Sequence, residues 1–136
     1  INVIINISRN PNTSKKILKL ILKENKLRNN KKDTDEAMNN ISNIHSEILM
    51  HDELDFSILE IIADSPDEWV RASIVNHPNV TLNILKKLSI DSDEDVRRCV
   101  AESDKINLEI IKLLLNDSSE IVRTAISTNP LKPSSL

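Results

Sequence analysis

SPDEWVRASI (65–74), DSDEDVRRCV (91–100) and DSSEIVRTAI (117–126) superpose without a gap at a spacing of 26 residues. A fixed period of this size marks a repeat architecture, because each short unit buries its apolar face only against its neighbours. In every copy two β-branched residues stand four apart (Val70 and Ile74, Val96 and Val100, Val122 and Ile126), the spacing that places both on one side of a helix. A cap-type residue also stands three before a glutamate: Ser65 before Glu68, Asp91 before Glu94, Asp117 before Glu120. That pattern reads as a capping box, with the first side chain accepting an orphan helical N–H and the glutamate reaching back. Pro66 then falls at the first helical position, where a missing N–H costs nothing. Each copy predicts a first helix, followed by a turn at Pro78, Asp104 or Pro130.

A second start signal follows each turn. Thr81 precedes LNILKKL (82–88) and Asn107 precedes LEIIKLL (108–114). The same frame places Asp55 before FSILEII and Ser14 before KKILKLI, and all four are cap-forming residues. Their apolar sets align as Ile17, Leu18, Ile21; Ile58, Leu59, Ile62; Ile84, Leu85, Leu88; and Ile110, Ile111, Leu114. The step from Ser14 to Asp55 is 41 residues, so this unit carries an insertion over about 26–40. NKLRNNKKD (25–33) reads as an exposed polar loop, while Ala37, Met38, Ile41, Ile44 and Ile48 predict a first helix extended at its start. Val3 and Ile7 match Val70 and Ile74, so the frame is cut inside a unit at both ends.

The expected architecture is all-α: one domain, a right-handed α-solenoid of about five stacked two-helix repeats of about 26 residues. The units are about 1–25, 41–64, 65–90, 91–116 and 117–136. Because solenoids end in polar capping repeats, this frame predicts a fragment of a longer array or a chain that associates end to end.

Composition removes several classes of function. With no glycine, phosphate-cradling loops that need positive φ are excluded. One cysteine, Cys99, forms no internal disulfide and no cysteine-rich metal site, and fits a reducing, cytoplasmic setting. No apolar run reaches the ~18 residues of a membrane span. The net charge of −3 divides unevenly: residues 1–32 hold nine Lys/Arg against Glu24 alone, and the remainder is strongly acidic.

The pattern D-x-D-x-x-V-R-x-x-V-A, then a turn and L-x-x-L-x-x-L, resembles the leucine-rich repeat variant family, which is HEAT-like in style. SDEDVRRCVAES (92–103) carries it best, with DEWVRASIVNHP and EIVRTAISTNP beside it. The resemblance implies units of two short helices stacked in a right-handed superhelix. Some members carry a cysteine-rich iron–sulfur segment, which Cys99 alone cannot supply. HEAT-like folds include both assembly adaptors and DNA alkylpurine glycosylases, so fold does not decide function.

Arg71, Arg97 and Arg123 share one phase and read as a structural ladder with the nearby Asp91, Asp93 and Asp117; His45 takes the arginine's place in the second unit. Lys15, Lys16, Lys19 and Lys23, with Arg28, Lys31 and Lys32, form a basic stripe, a candidate binding surface or a solvated helix face. Trp69 is the candidate binding anchor if exposed. His51 and His77 occupy equivalent positions and read as satisfied helix ends ahead of metal ligands. Acidic clusters at helix starts read as capping groups, and Cys99, aligned with Ser73 and Ala125, reads as a close-packing position. No catalytic, cofactor or metal residue is expected. The reading is a non-enzymatic scaffold for a protein or peptide; the alternative is a nucleic-acid-binding module using the basic first unit.

Overall fold

A computed structural model describes residues 2–29, 35–51 and 53–136; the side chains of 2 and 25–37 lie outside the described set. Nine α-helices and no strand occur among the described residues. They are α1 (Asn2–Arg9), α2 (Lys15–Asn29), α3 (Asp35–Leu49), α4 (Phe56–Ile62), α5 (Glu68–Val75), α6 (Leu82–Leu88), α7 (Glu94–Glu102), α8 (Leu108–Leu114) and α9 (Glu120–Ser127). Odd-numbered helices pack side by side, α1 on α3, α3 on α5, α5 on α7 and α7 on α9, with even-numbered helices behind them. The α5–α7 and α7–α9 pairs are the most closely packed, and α3–α5 is looser.

One continuous core of Ile, Leu and Val runs through the described chain. Ile58, Leu59 and Ile62, Ile84, Leu85 and Leu88, and Ile110, Ile111 and Leu114 are buried from the even helices. Ile44 and Ile48, Val70 and Ile74, Val96 and Val100, and Val122 and Ile126 meet them from the odd helices. Without glycine no described residue has positive φ; helices end in right-handed conformations at Ala63, Asn76 and Thr128, and α7 ends extended at Ser103.

The even helices start where their cap residues stand. The Asp55 carboxylate accepts from Ser57 and Ile58 N–H, Thr81 Oγ1 from Ile84 N–H, and Asn107 Oδ1 from Ile110 N–H. α2 begins directly after Ser14, whose carbonyl accepts from Leu18 N–H at 3.1 Å.

The odd helices correct the capping-box reading. Their caps are Asp67, Asp93 and Ser119, two residues later than expected. Asp67 accepts from Trp69 and Val70 N–H, and Asp93 from Asp95 and Val96 N–H. Each unit offers two cap-type residues two apart; the inner side chain holds the helix at Asp67 and Asp93, while Ser119 makes no side-chain cap bond. Glu68, Glu94 and Glu120 therefore occupy the first helical position, where they suit the dipole but close no box. Pro66 precedes the cap instead of opening the helix.

The first unit departs from its expected phase. Val3 is 69% and Ile7 39% exposed, whereas Ile4 and Ile5 pack against the core. The pair that α1 turns inward is Ile4 and Ser8, one residue later than the alignment places it. Ile17 is exposed, and α2 instead buries Leu18 and Leu22. The polar stretch from Asn25 is not loop at its start, since α2 runs to Asn29 through good helix formers such as Lys, Leu and Arg with no Pro or Gly. α3 has 15 residues against eight in α5.

Candidate functional site

The arginines form a repeated device. Arg97 Nε and Nη2 donate to the Asp117 carboxylate at 2.8 and 3.1 Å, and Nη1 donates back to the carbonyls of Asp91 and Ser92 at 2.7 and 3.2 Å. Arg71 repeats this with Asp91 at 2.8 and 2.9 Å and with the Ser65 and Pro66 carbonyls. Each planar fork thus closes the loop before its own helix and holds the loop before the next odd helix. Asp91 and Asp117 are the outer cap-type residues, and their engagement leaves Asp93 to cap α7 and Ser119 to stand at the start of α9 without a side-chain cap bond. Hydrogen bonds from Arg97 lead in holding the Asp117 pKa below its ordinary value. At Asp91 burial opposes ionisation, but the bonds from Arg71 and the Asp93 N–H outweigh it. Arg123 Nη1 donates to the carbonyls of Asp117 and Ser118, and among the described residues no carboxylate pairs with it.

The device lapses once. His45 and Ser65 stand 20 residues apart, the separation of Arg71 and Asp91, at the α3–α5 seam. His45 Nδ1 and Ser65 Oγ are the two buried side-chain polar atoms without a hydrogen-bond partner among the described residues. Burial pushes the His45 pKa down to about 4, so its ring is neutral at neutral pH. The extended α3 supplies the reason for the change. The carbonyls an arginine would serve here, those of Asn39 and Asn40, lie inside that helix and are taken by N–H groups four residues on.

A second ladder runs along the turns. His51 Nε2 donates to the Ser8 carbonyl at 2.6 Å and His77 Nε2 to the His51 carbonyl at 3.2 Å. His77 Nδ1 accepts from Asn79 N–H at 3.1 Å, which fixes the proton on Nε2. Lys105 and Asn129 continue the series onto the carbonyls of His77 and Ser103. The two histidines thus link successive turns and do not converge on one point. Among the described residues no group of three or more His, Cys, Asp or Glu could hold a metal ion.

An apolar feature of the surface lies on the same α3–α5 seam. A groove of about 440 Å³ opens between the helices, lined by Leu49, Met50, Trp69 and Val70, with Asp67 and Ser73 among its polar members. Trp69 is 69% and Met50 81% exposed. The sequence marked Trp69 but missed Met50 and Leu49; the equivalence of Ser46 to Ala72 and of Met50 to Asn76 in the repeat frame would have pointed to them.

Lys15, Lys16, Lys19 and Lys23 are exposed on α2. Lys19 pairs with Asp55 at 2.8 Å, and this bond leads in lowering the Asp55 pKa to about 2. In the repeat frame the Lys19 position becomes Glu60, Lys86 and Lys112, so the basic stripe is interrupted one unit on. The side chain of Arg28 and the residues Lys31 and Lys32 lie outside the described residues. Cys99 is partly covered, and burial leads in raising its pKa, which lowers the thiolate fraction. No described helix is long and apolar enough to cross a membrane. No family model matches the chain, and no curated protein or solved structure matches it.

Proposed function

We propose that this chain is a non-enzymatic helical-repeat scaffold that takes a protein or peptide on the face formed by its odd helices. In this reading the helix pairs form about five units of a right-handed solenoid, similar in style to leucine-rich repeat variant and HEAT-like proteins. The observation that carries the reading is Trp69, largely exposed beside the equally exposed Met50 over an apolar groove. A large aromatic side chain left in water beside a concave apolar surface is costly to maintain unless something covers it, and such residues dominate binding energy at interfaces.

The regular polar residues support the same reading by being used up in structure. Arg71 and Arg97 are spent on Asp91 and Asp117, and His51 and His77 on turn carbonyls. The basic stripe is short of what phosphate tracking needs, since Glu60 breaks it and the chain offers no Tyr, one Phe and one Trp for base stacking.

The test is comparative capture from a lysate by the native chain, by Trp69→Ala and by a Lys15/Lys16/Lys23→Glu variant. Proteins retained by the native chain and by the lysine variant, but lost with Trp69→Ala, are the expected result. Nucleic acid lost with the lysine variant and kept by Trp69→Ala would overturn it.

A further inference from the structure

The rim of the α3–α5 groove has a definite sign. Asp67 lines it at the start of α5, and Glu68 stands beside it exposed to solvent. Glu94 and Glu120 occupy the same phase at the starts of α7 and α9, also exposed. Most cations close to these helices are neutralised: Arg71 and Arg97 by the clamp, Arg98 by Asp95 and Glu102, and Arg9 by Glu47 across the α1–α3 contact. Arg123 on α9 instead bonds the carbonyls of Asp117 and Ser118 and keeps its charge. Lys105 lies at the opposite end of the groove, held on the His77 carbonyl. The groove is therefore apolar inside and anionic at the α5 start, and the anionic character continues to Glu94 on α7 and weakens at α9, where Arg123 offsets Glu120.

Resting on the scaffold reading above, we propose that the groove takes one large apolar side chain of a lysine- or arginine-rich peptide, whose cations run from Glu68 toward Glu94 and Glu120. Packed helices lie ~8–10 Å apart. Three residues of extended chain span about 10 Å. A peptide with an apolar anchor and a basic residue at every third position after it thus keeps step with the glutamates. Each exposed ion pair contributes little alone, so the anchor supplies most of the affinity and the charges set direction and preference. The looseness of this seam, where His45 and Ser65 replace the arginine clamp, lets the anchor enter without breaking a buried ion pair.

Trp69 is the sole tryptophan of the chain, so its emission reports on the groove directly. The probes are three synthetic peptides with serine spacers: a leucine anchor with lysine at the third and sixth positions after it, the same peptide with glutamate for lysine, and the lysine peptide with alanine for leucine. The lysine–leucine peptide should shift Trp69 emission to the blue and bind at least about tenfold more tightly than the other two, with affinity falling as salt screens the rim. Replacing Glu68, Glu94 and Glu120 together by Gln should erase the preference for lysine over glutamate. Glu68→Gln alone, with less effect on the fold, should reduce it in part.

Equal binding of the lysine and glutamate peptides overturns this inference while leaving the groove as a binding site. Equal binding of the alanine peptide overturns the anchor. If no peptide moves Trp69 emission, the inference and the groove reading fall together.

Discussion

Lowering the pH should destabilise this protein through His45 in a way that can be isolated from every other titration. The His45 ring is buried on α3 with Nδ1 unpartnered, and its pKa falls from 6.5 to about 4 because burial penalises the charged form. The unfolded chain then binds a proton in the interval between those two values that the folded chain refuses. Stability from this group is complete above the unfolded value of 6.5 and declines as pH falls toward about 4. By linkage the loss on going from about pH 8 to about pH 5 is roughly 2 kcal/mol. His45→Leu removes both the titration and an unpartnered polar atom at similar volume, so near pH 8 it should fall within about 1 kcal/mol of the native chain or exceed it. Near pH 5 it should be the more stable protein by about 2 kcal/mol. Urea melts followed by circular dichroism at both pH values give the comparison, and the carboxylates and the other two histidines cancel because both proteins carry them. Equal pH dependence in the two proteins, or a His45 ring resonance titrating near 6.5, would refute the reasoning.

Arg97→Ala should cost about 2–4 kcal/mol, because it leaves the Asp117 carboxylate, 7% exposed, without its fork. In a double-mutant cycle with Asp117→Ala most of that cost should appear as coupling, and coupling near zero would remove the clamp from the account. Arg97 also holds the Asp117 pKa below its ordinary 3.8, so the stability it confers is present above that value and declines as pH falls through the lowered one. An acid melt of Arg97→Ala should show less of this loss than the native chain. Asp67→Ala should cost about 1 kcal/mol by removing the α5 cap. Ser65→Ala should be neutral or stabilising, the reverse of what a capping box at Ser65 would give, and thermal melts separate the two. Trp69→Ala, at a largely exposed site, should change stability by less than about 0.5 kcal/mol in the same melts while weakening binding of the lysine–leucine peptide in titration calorimetry.

The all-helical class, the 26-residue period and the buried sets on α4 to α9 were legible from residues 55–126. They depend on local spacing, and i, i+4 apolar pairs bracketed by cap-forming residues leave a short segment few alternatives. The starts of the even helices at Asp55, Thr81 and Asn107 were readable for the same reason, since in each a cap-type residue stands directly before the apolar run.

What the tertiary structure decided were the choices that local chemistry leaves balanced. Ser65 and Asp67, Asp91 and Asp93, and Asp117 and Ser119 are pairs of cap-type residues two apart, and only the next unit's position shows that the outer aspartates belong to Arg71 and Arg97. The phase of α1 is set by its packing on α3, so the alignment assigned Val3 and Ile7 to a core that Ile4 and Ile5 join. The groove at Trp69 is a property of how two helices from different units face each other across a seam. Repetition in sequence determines what each unit is. Where one unit departs from its neighbours, as at His45 and Ser65, the consequence exists only in the contact between them, and that contact required the fold.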